Sequence, residues 1–581
     1  MNPRTPRLRR LLASVVLLPS ALTGVSAAQA PAEPLGRALA LVPSRAAAFV
    51  VVPSLKRASD ELQQCIERMD RPDAALAGRP IDQLKAALGV SVGVDDLGAL
   101  AIVQLPKADA FSAVAIVPVK DSKEFLEGNF KRAADKGDDA WTNPSGTVIY
   151  AKTVESHVVL GDDAETVRGF ATDEGIGATV AQRLGERGTS VMAKGDVIAW
   201  AGHSALQAQM KEADATARAQ MPDGELAQRF EDERKRMTEL MSGLEDGVLV
   251  VDVDPLGVGL RTFAKAKADS DLGSLLKGGT DGTSTFDRLP AQPFYAIGRV
   301  DIAGIGGIAA LEQLLARVPT APTLPAWLTS ARDDVRGLQF GVYPSKLGIA
   351  AGGLLNDAYL VIETPKPDVV RESMRQAILA TAGELGGVKR EPTWTKDKEL
   401  KGGSVADAFE VKETPVPGAA AGYGPIVSQI VFGSRGFVGF VRPVSNAVMM
   451  TFSQRVDVLE RGVAVSSGAG KSLANDGTIK SYRPWLIENA DIEGFLGVGQ
   501  LGKLIQQVAG MVPGGNAESM PKIPTTAEPI AFAAEVDKAS FETACVVPST
   551  VLALFYDQIK AQMLGGGAAA PTAPATTSDK E

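Results

Sequence analysis

The feature that most limits what this chain can fold into is that it repeats itself. Six stretches of the first half return, in the same order, in the second. Val42-Pro43 with Phe49-Val50-Val51-Val52 has a partner in Leu289-Pro290 with Phe294-Tyr295-Ala296-Ile297. Leu62 to Met69, helical in spacing, matches Leu311 to Val318, and Asp95-Asp96-Leu97 with Leu100 matches Asp333-Asp334-Val335 with Leu338. The third region is the cleanest. Gly146 to Ala151 aligns without gaps to Gly436 to Val441, and the register carries Val158-Val159-Leu160 onto Val448-Met449-Met450. Asp196 to Gly202 then falls on Asp491 to Gly497, Leu206 and Met210 meet Leu501 and Ile505, and Asp252-Val253-Asp254 pairs with Glu535-Val536-Asp537. A shared order of this length reads as a duplicated module whose apolar pattern persists because both copies bury the same faces.

Within a copy the periods are mixed. Phe49 to Val52, Val148 to Ala151, Val158 to Leu160 and Val248 to Val251 are short β-branched or aromatic runs bounded by Gly, Pro or Asp, as strands are. Leu62, Ile66 and Met69 recur at helical spacing, and Val369, Met374 and Ile378 less strictly. Ala151 to Val158 and Val253 to Leu260 leave room only for tight turns, so those neighbours are antiparallel. The expected fold class is therefore α+β: two tandem diverged copies of one module, each an antiparallel or mixed sheet with helices packed on one face.

Composition bounds the rest. Arg4, Arg7, Arg9 and Arg10, the apolar run Leu11 to Leu18 and the small residues at Val25-Ser26-Ala27 and Ala28-Gln29-Ala30 have the tripartite form of a signal peptide over residues 1–30. That apolar run is short and is interrupted by Pro19, so an uncleaved anchor is the minor alternative. Export would remove four arginines and take the formal charge from −9 to −13, which argues against a nucleic-acid binder. Arg234-Lys235-Arg236 is flanked by Glu231, Asp232, Glu233 and Glu239 and reads as a solvated helix face. The expected layout is a first module over 31–275, a Gly/Ser/Thr-rich linker over 276–287, a second module over 288–564 and a disordered tail over 565–581. Two copy-specific insertions stand out: a charged helical hairpin at Lys211 to Leu244, broken at Pro222-Asp223-Gly224, and Gly386 to Ser428, ending in the Pro415-Val416-Pro417 run.

Chemistry has few footholds. The chain holds two histidines. His157 and His203 fall opposite Ala447 and Val498 in the repeat and read as surface or packed imidazoles. Without a His/Cys cluster, transition-metal sites are not expected. Cys65 sits on the apolar stripe of its helix opposite Leu314 and reads as a structural thiol, and whether it pairs with Cys545 stays open. Gly468 to Ser472 resembles the end of a phosphate loop, but Val465 occupies the position of the required first glycine. Gly304-Ile305-Gly306-Gly307 resembles half a dinucleotide fingerprint, with Ala309 in place of its third glycine. Acidic pairs at Asp95-Asp96, Asp162-Asp163, Asp252 with Asp254, and Asp333-Asp334 have the chemistry for Ca²⁺ or paired carboxylates, but read better as caps and turns. No residue is assigned a catalytic, cofactor-binding or metal-ligating role.

In its layout of leader, early Val-Pro…Phe-Val-Val-Val strand, alternating strand pairs and helices, and acidic Ala-rich surface, the chain resembles uncharacterised exported bacterial proteins classed as domains of unknown function. That resemblance implies no site and no activity. The expected function is an exported, non-enzymatic binding or scaffold protein in the periplasm or outside the cell, with the groove between the modules as interface and an unknown protein or small apolar ligand as partner. An apolar-ligand or lipid carrier and a carboxylate-based hydrolase are the alternatives, the second requiring two carboxylates in one cleft.

Overall fold

Every strand pairing in the computed structural model is antiparallel, and all its strands join into one sheet. The structure describes residues 32–565 except 72–78, 108–109, 221–230, 232–233, 236–237, 240–241, 277, 279–284, 318–323, 386, 417–423 and 512–522. The leader, the tail after Gly565, the break at Pro222-Asp223-Gly224 and most of the linker lie outside the described residues. The first half contributes β1 (Ala48–Val52), β2 (Leu100–Pro106), β3 (Phe111–Pro118), β4 (Lys131–Arg132), β5 (Ala140–Thr142), β6 (Val148–Val154), β7 (His157–Gly161), β8 (Val197–Gly202), β9 (Leu244–Asp254) and β10 (Gly257–Ala266). The second contributes β11 (Ala296–Asp301), β12 (Gly337–Val342), β13 (Tyr359–Glu363), β14 (Gly383–Leu385), β15 (Val388–Glu399), β16 (Val405–Pro415), β17 (Phe437–Val444), β18 (Ala447–Thr451), β19 (Ile492–Leu496), β20 (Ile530–Asp537) and β21 (Ser540–Pro548).

The two halves meet at β10 and β21, paired without a break from Gly257↔Pro548 to Lys265↔Ser540. Outward from this seam the first half runs β10, β9, β8, β1, β2, β3, β7, β6, β5, β4. The second runs β21, β20, β19, β11, β12, β13, β18, β17, β16, β15, β14. The order of connections is the same apart from the extra strand β14. Pairing register lets positions be matched one to one. Val159 lies beside Ile116 as Met449 lies beside Val361, and Ala151 lies opposite Leu160 as Val441 lies opposite Met450. The first strand differs. Phe49 lies between Trp200 and Val103, and the residue between Phe495 and Gly341 is Ile297, not Phe294. Phe294-Tyr295 carries an aromatic lead like Phe49, but the strand in the equivalent place of the sheet, β11, carries Gly298 and Arg299.

Helices cover both faces of the sheet, not one as expected. Adjacent residues of β3 show it, because neighbours on a strand point to opposite sides. Ile116, with Val51, Val103 and Trp200, packs under Val180, Leu184 and Val191 of helix Gly177–Met192. Val117, with Leu100 and Val158, packs under Leu55, Ile81 and Phe125 from three other helices. The second half repeats this, with Met449 under Leu459 and Ile479 on one side and Val448 under Val370, Met374 and Ile378 on the other. The runs Leu100 to Val103 and Ala113 to Val117 are continuously apolar, which is what burial from both sides requires. In helix Pro367–Leu379 the buried stripe begins at Val370, and Val369 is exposed.

The seam is also bolted by helices. Helix Ser549–Gly565, which follows β21, packs on helix Leu55–Arg68 of the first half. Helix Asp271–Leu275, which follows β10, packs on helix Ile308–Arg317 of the second, with Leu272 beside Leu314. At the centre of the seam Arg261, 4 % exposed, gives Nη1 to Glu542 Oε1 at 3.1 Å and Nη2 to the carbonyl of Trp485 at 2.9 Å. A buried guanidinium stripped of its carboxylate is costly, so Glu542→Ala is expected to lower the unfolding free energy by about 3–5 kcal/mol. Urea unfolding of the two proteins checks this, and a loss of only a few tenths would remove the seam ion pair from the account.

Candidate functional site at the seam

Two kinds of polar group gather where β9 and β20 approach the seam. The first is a pair of matched carboxylates. Asp196 stands in the turn before β8, almost fully buried, and its Oδ2 accepts the backbone N–H of Val253 at 2.9 Å. β8 begins opposite Val251, so the N–H of Val253 lies beyond its reach and needs another acceptor. Asp491 does the same before β19, accepting the N–H of Val536 at 2.7 Å. Close approach sets the neighbouring residue: a Cβ on Gly304 would stand 2.1 Å from Asp491 Oδ1. Burial is the main reason that Asp491 is pushed from 3.8 to about 6.

The second matched position is Asp252 on β9 and Glu535 on β20. Glu535 is gripped by Arg187 of helix Gly177–Met192, Nη1 to Oε1 at 2.7 Å, and Arg187 Nε also reaches Glu542 Oε2 at 3.0 Å. Asp252 has no such cation. It converges instead with Asp196 and with Glu61 from helix Leu55–Arg68, and one oxygen from each of the three lies within 4.8 Å of the others. Arg57, one turn before Glu61, bonds Glu61 Oε1 at 3.1 Å and reaches Asp196 Oδ1 at 3.1 Å. Burial, followed by the Asp196 carboxylate, raises Asp252 to about 9 and Glu61 to about 7.

Beside these groups both halves line a cleft of about 610 Å³. Arg187, Lys194 and Arg261 come from the first half, and Arg483, Glu488 and Glu542 from the second. Arg483 is held by Glu493, with Nη1 to Oε2 at 2.8 Å. Lys194 is half-buried, and among the described residues no carboxylate forms an ion pair with it. Burial lowers its pKa, and the charge of Arg261 adds to that effect.

Of the residues singled out in the sequence, Asp252 belongs to this carboxylate group, and the others lie elsewhere. His203 places Nδ1 2.8 Å from the carbonyl of Leu244 and Nε2 3.1 Å from Lys267 Nζ, which is a structural use of the ring. His157 opens β7, and burial lowers its pKa. Cys65 and Cys545 are not joined in a disulfide, and burial raises Cys65 to about 11. Asp163 caps helix Ala164–Arg168 through the N–H of Thr166 at 2.8 Å, and Asp254 accepts the N–H of Leu256 at 2.6 Å in its turn. Asp96 pairs with Lys85 and Asp334 with Lys366. Gly306 ends the short helix Ile302–Ile305 at φ 99°, and Gly468 to Ser472 follows helix Val456–Ser466, whereas a phosphate loop is entered from a strand. The matched acids were missed. Asp196 with Asp491, and Asp252 with Glu535, all stood in the aligned repeat, and an acid kept at both ends of a drifting alignment was the signal.

No protein-family model and no curated protein matches this chain. Among solved structures it is similar to crystal form IV of TP0453, at 11% identity, over 39% of this chain and 79% of that one, with a TM-score of 0.18. Among the described residues no helix is long and apolar enough to cross a membrane.

Because the folded state raises Asp491, it holds the proton more tightly than the unfolded chain. That stabilisation is complete below the ordinary carboxylate value of 3.8 and is lost as pH rises through about 6. Asp491→Asn keeps an oxygen for Val536 and removes the titration. Relative to this variant, the wild type is expected to lose about 1–3 kcal/mol between pH ~4 and ~6 and to change little above that. Parallel pH profiles of the two would contradict the assignment.

Proposed function

We propose that this chain is an exported, non-enzymatic binding protein built from two diverged copies of one module, over 31–275 and 288–564, and that it takes its ligand at the seam. The shared order of strands outward from β10 and β21, and the matched hydrogen bonds of Asp196 and Asp491, favour the duplication. One observation carries the binding reading: a cleft walled by both halves presents Lys194 without a carboxylate partner among the described residues, next to Arg187 and Arg261. An ammonium in that setting lowers its free energy by meeting an anion, so the ligand is an acidic small molecule or an acidic peptide segment. The apolar ligand anticipated from sequence fits this cleft less well.

A second reading has its own observation. Phe340, Gly298, Gly494 and Phe532 stand side by side on β12, β11, β19 and β20, with both rings about 40 % exposed (Phe340 40%, Phe532 41%). A Cβ at either glycine would meet a ring carbon at 2.4 or 2.3 Å, so the rings lie down over the glycines as an apolar floor. This favours an apolar-ligand carrier. The hydrolase reading draws on the convergence of Glu61, Asp196 and Asp252, but these lie to the side of the cleft lining.

Purification of the mature chain followed by native mass spectrometry separates the readings. An acidic molecule retained by the wild type and lost from Lys194→Met, with melting unchanged, is the expected result. Labelling by an active-site-directed probe, with nothing bound, would reverse the ranking.

A further inference from the structure

Glu61, Asp196 and Asp252 form a group that the cleft does not use. Three of their carboxylate oxygens have donors: Arg57 holds Glu61 Oε1 and Asp196 Oδ1, and the N–H of Val253 holds Asp196 Oδ2. Glu61 Oε2 is buried with no partner. Asp252 is 9 % exposed and, among the described residues, receives no N–H and forms no ion pair; it faces the Asp196 and Glu61 carboxylates, while the charges of Arg57, Lys194 and Arg261 reach it without direct contact. Fully ionised, three carboxylates against one paired guanidinium would carry two net negative charges in a largely desolvated spot, which a single divalent ion neutralises in place of shared protons.

The second half supplies an independent indication. Glu535 occupies the position that matches Asp252, and there a guanidinium closes on both of its oxygens. The same place in the sheet therefore carries a cation in one half and lacks a protein-borne one in the other. Donor chemistry sets the kind of ion, and the spacing is compatible with it. Two oxygens bound to one ion at about 2.4 Å stand at most about 4.8 Å apart, the span of a calcium-type shell. All three oxygens fall within 4.8 Å of one another. An all-oxygen donor set disfavours softer transition metals. Glu61 and Arg57 keep about a third of their side chains exposed (28% and 33%), which leaves a side open for entry and for completing waters.

We infer that Glu61, Asp196 and Asp252 bind a hard divalent cation of the calcium class. The site belongs to the first half alone and is separable from anion binding in the cleft, since Lys194→Met leaves all three ligands in place.

The test is titration of the chelator-treated full chain with CaCl₂, MgCl₂ and MnCl₂, by calorimetry and by thermal melting. Expected are one saturable site, a melting temperature raised by Ca²⁺, and weaker binding of Mg²⁺, which demands near-octahedral geometry and sheds its waters reluctantly. Asp252→Asn should weaken binding by about tenfold or more, yet melt above the chelated wild type because it relieves like-charge repulsion. Glu535→Gln should leave the titration unchanged. If none of the three ions binds or shifts melting at millimolar concentration, shared protons hold the group together and the proposal fails. It also fails if Ca²⁺ binding survives both Asp252→Asn and Glu61→Gln.

Discussion

The antiparallel pairing of β10 with β21 is the constraint on which the rest of the molecule depends. It turns two sets of strands into one sheet, and a strand edge of that length left open would be a template for aggregation. Burying the edge against another strand edge removes the hazard and leaves Arg261 and Glu542 largely desolvated. The helices that cross the seam then follow, since each final strand delivers its next helix onto the opposite half.

The same geometry explains why polar chemistry collects there. Strand ends near the seam leave backbone N–H groups that no neighbouring strand satisfies, and Asp196 and Asp491 supply the missing acceptors. Once those carboxylates are fixed, the next acid along β9 or β20 is forced close to them. The halves resolve the crowding differently. Glu535 is neutralised by Arg187, while Asp252 shares its space with Asp196 and Glu61. The two halves therefore differ less in the order of their strands than in which charge meets which.

Much of the architecture could be read from residues alone, because apolar patterning records which faces are buried. The hairpins at Val148 to Leu160 and Phe437 to Met450 were legible in register, since their turns fix the pairing. The counterpart of β1 was not, because Gly298 and Arg299 replace the β-branched signature of Val50 and Val51. Arg299 is tolerated there only through a long-range partner, Glu493 on β19, which no local pattern reveals. Coverage of both faces was written in the continuous apolar runs of β2 and β3 but was read as one-sided. The carboxylate group was the least legible part, as Glu61, Asp196 and Asp252 lie far apart in the chain and meet only through helix, turn and strand placement.

Separating the halves tests this account most directly. Residues 32–276 and 285–565, produced apart, each expose one long strand edge and one half of the Arg261–Glu542 pair. The expected result is that neither gives a cooperative monomeric melt alone and that mixing them restores the transition of the intact chain. Two halves that melt independently as monomers, at the temperature of the whole, would show that the seam is not what holds the protein together.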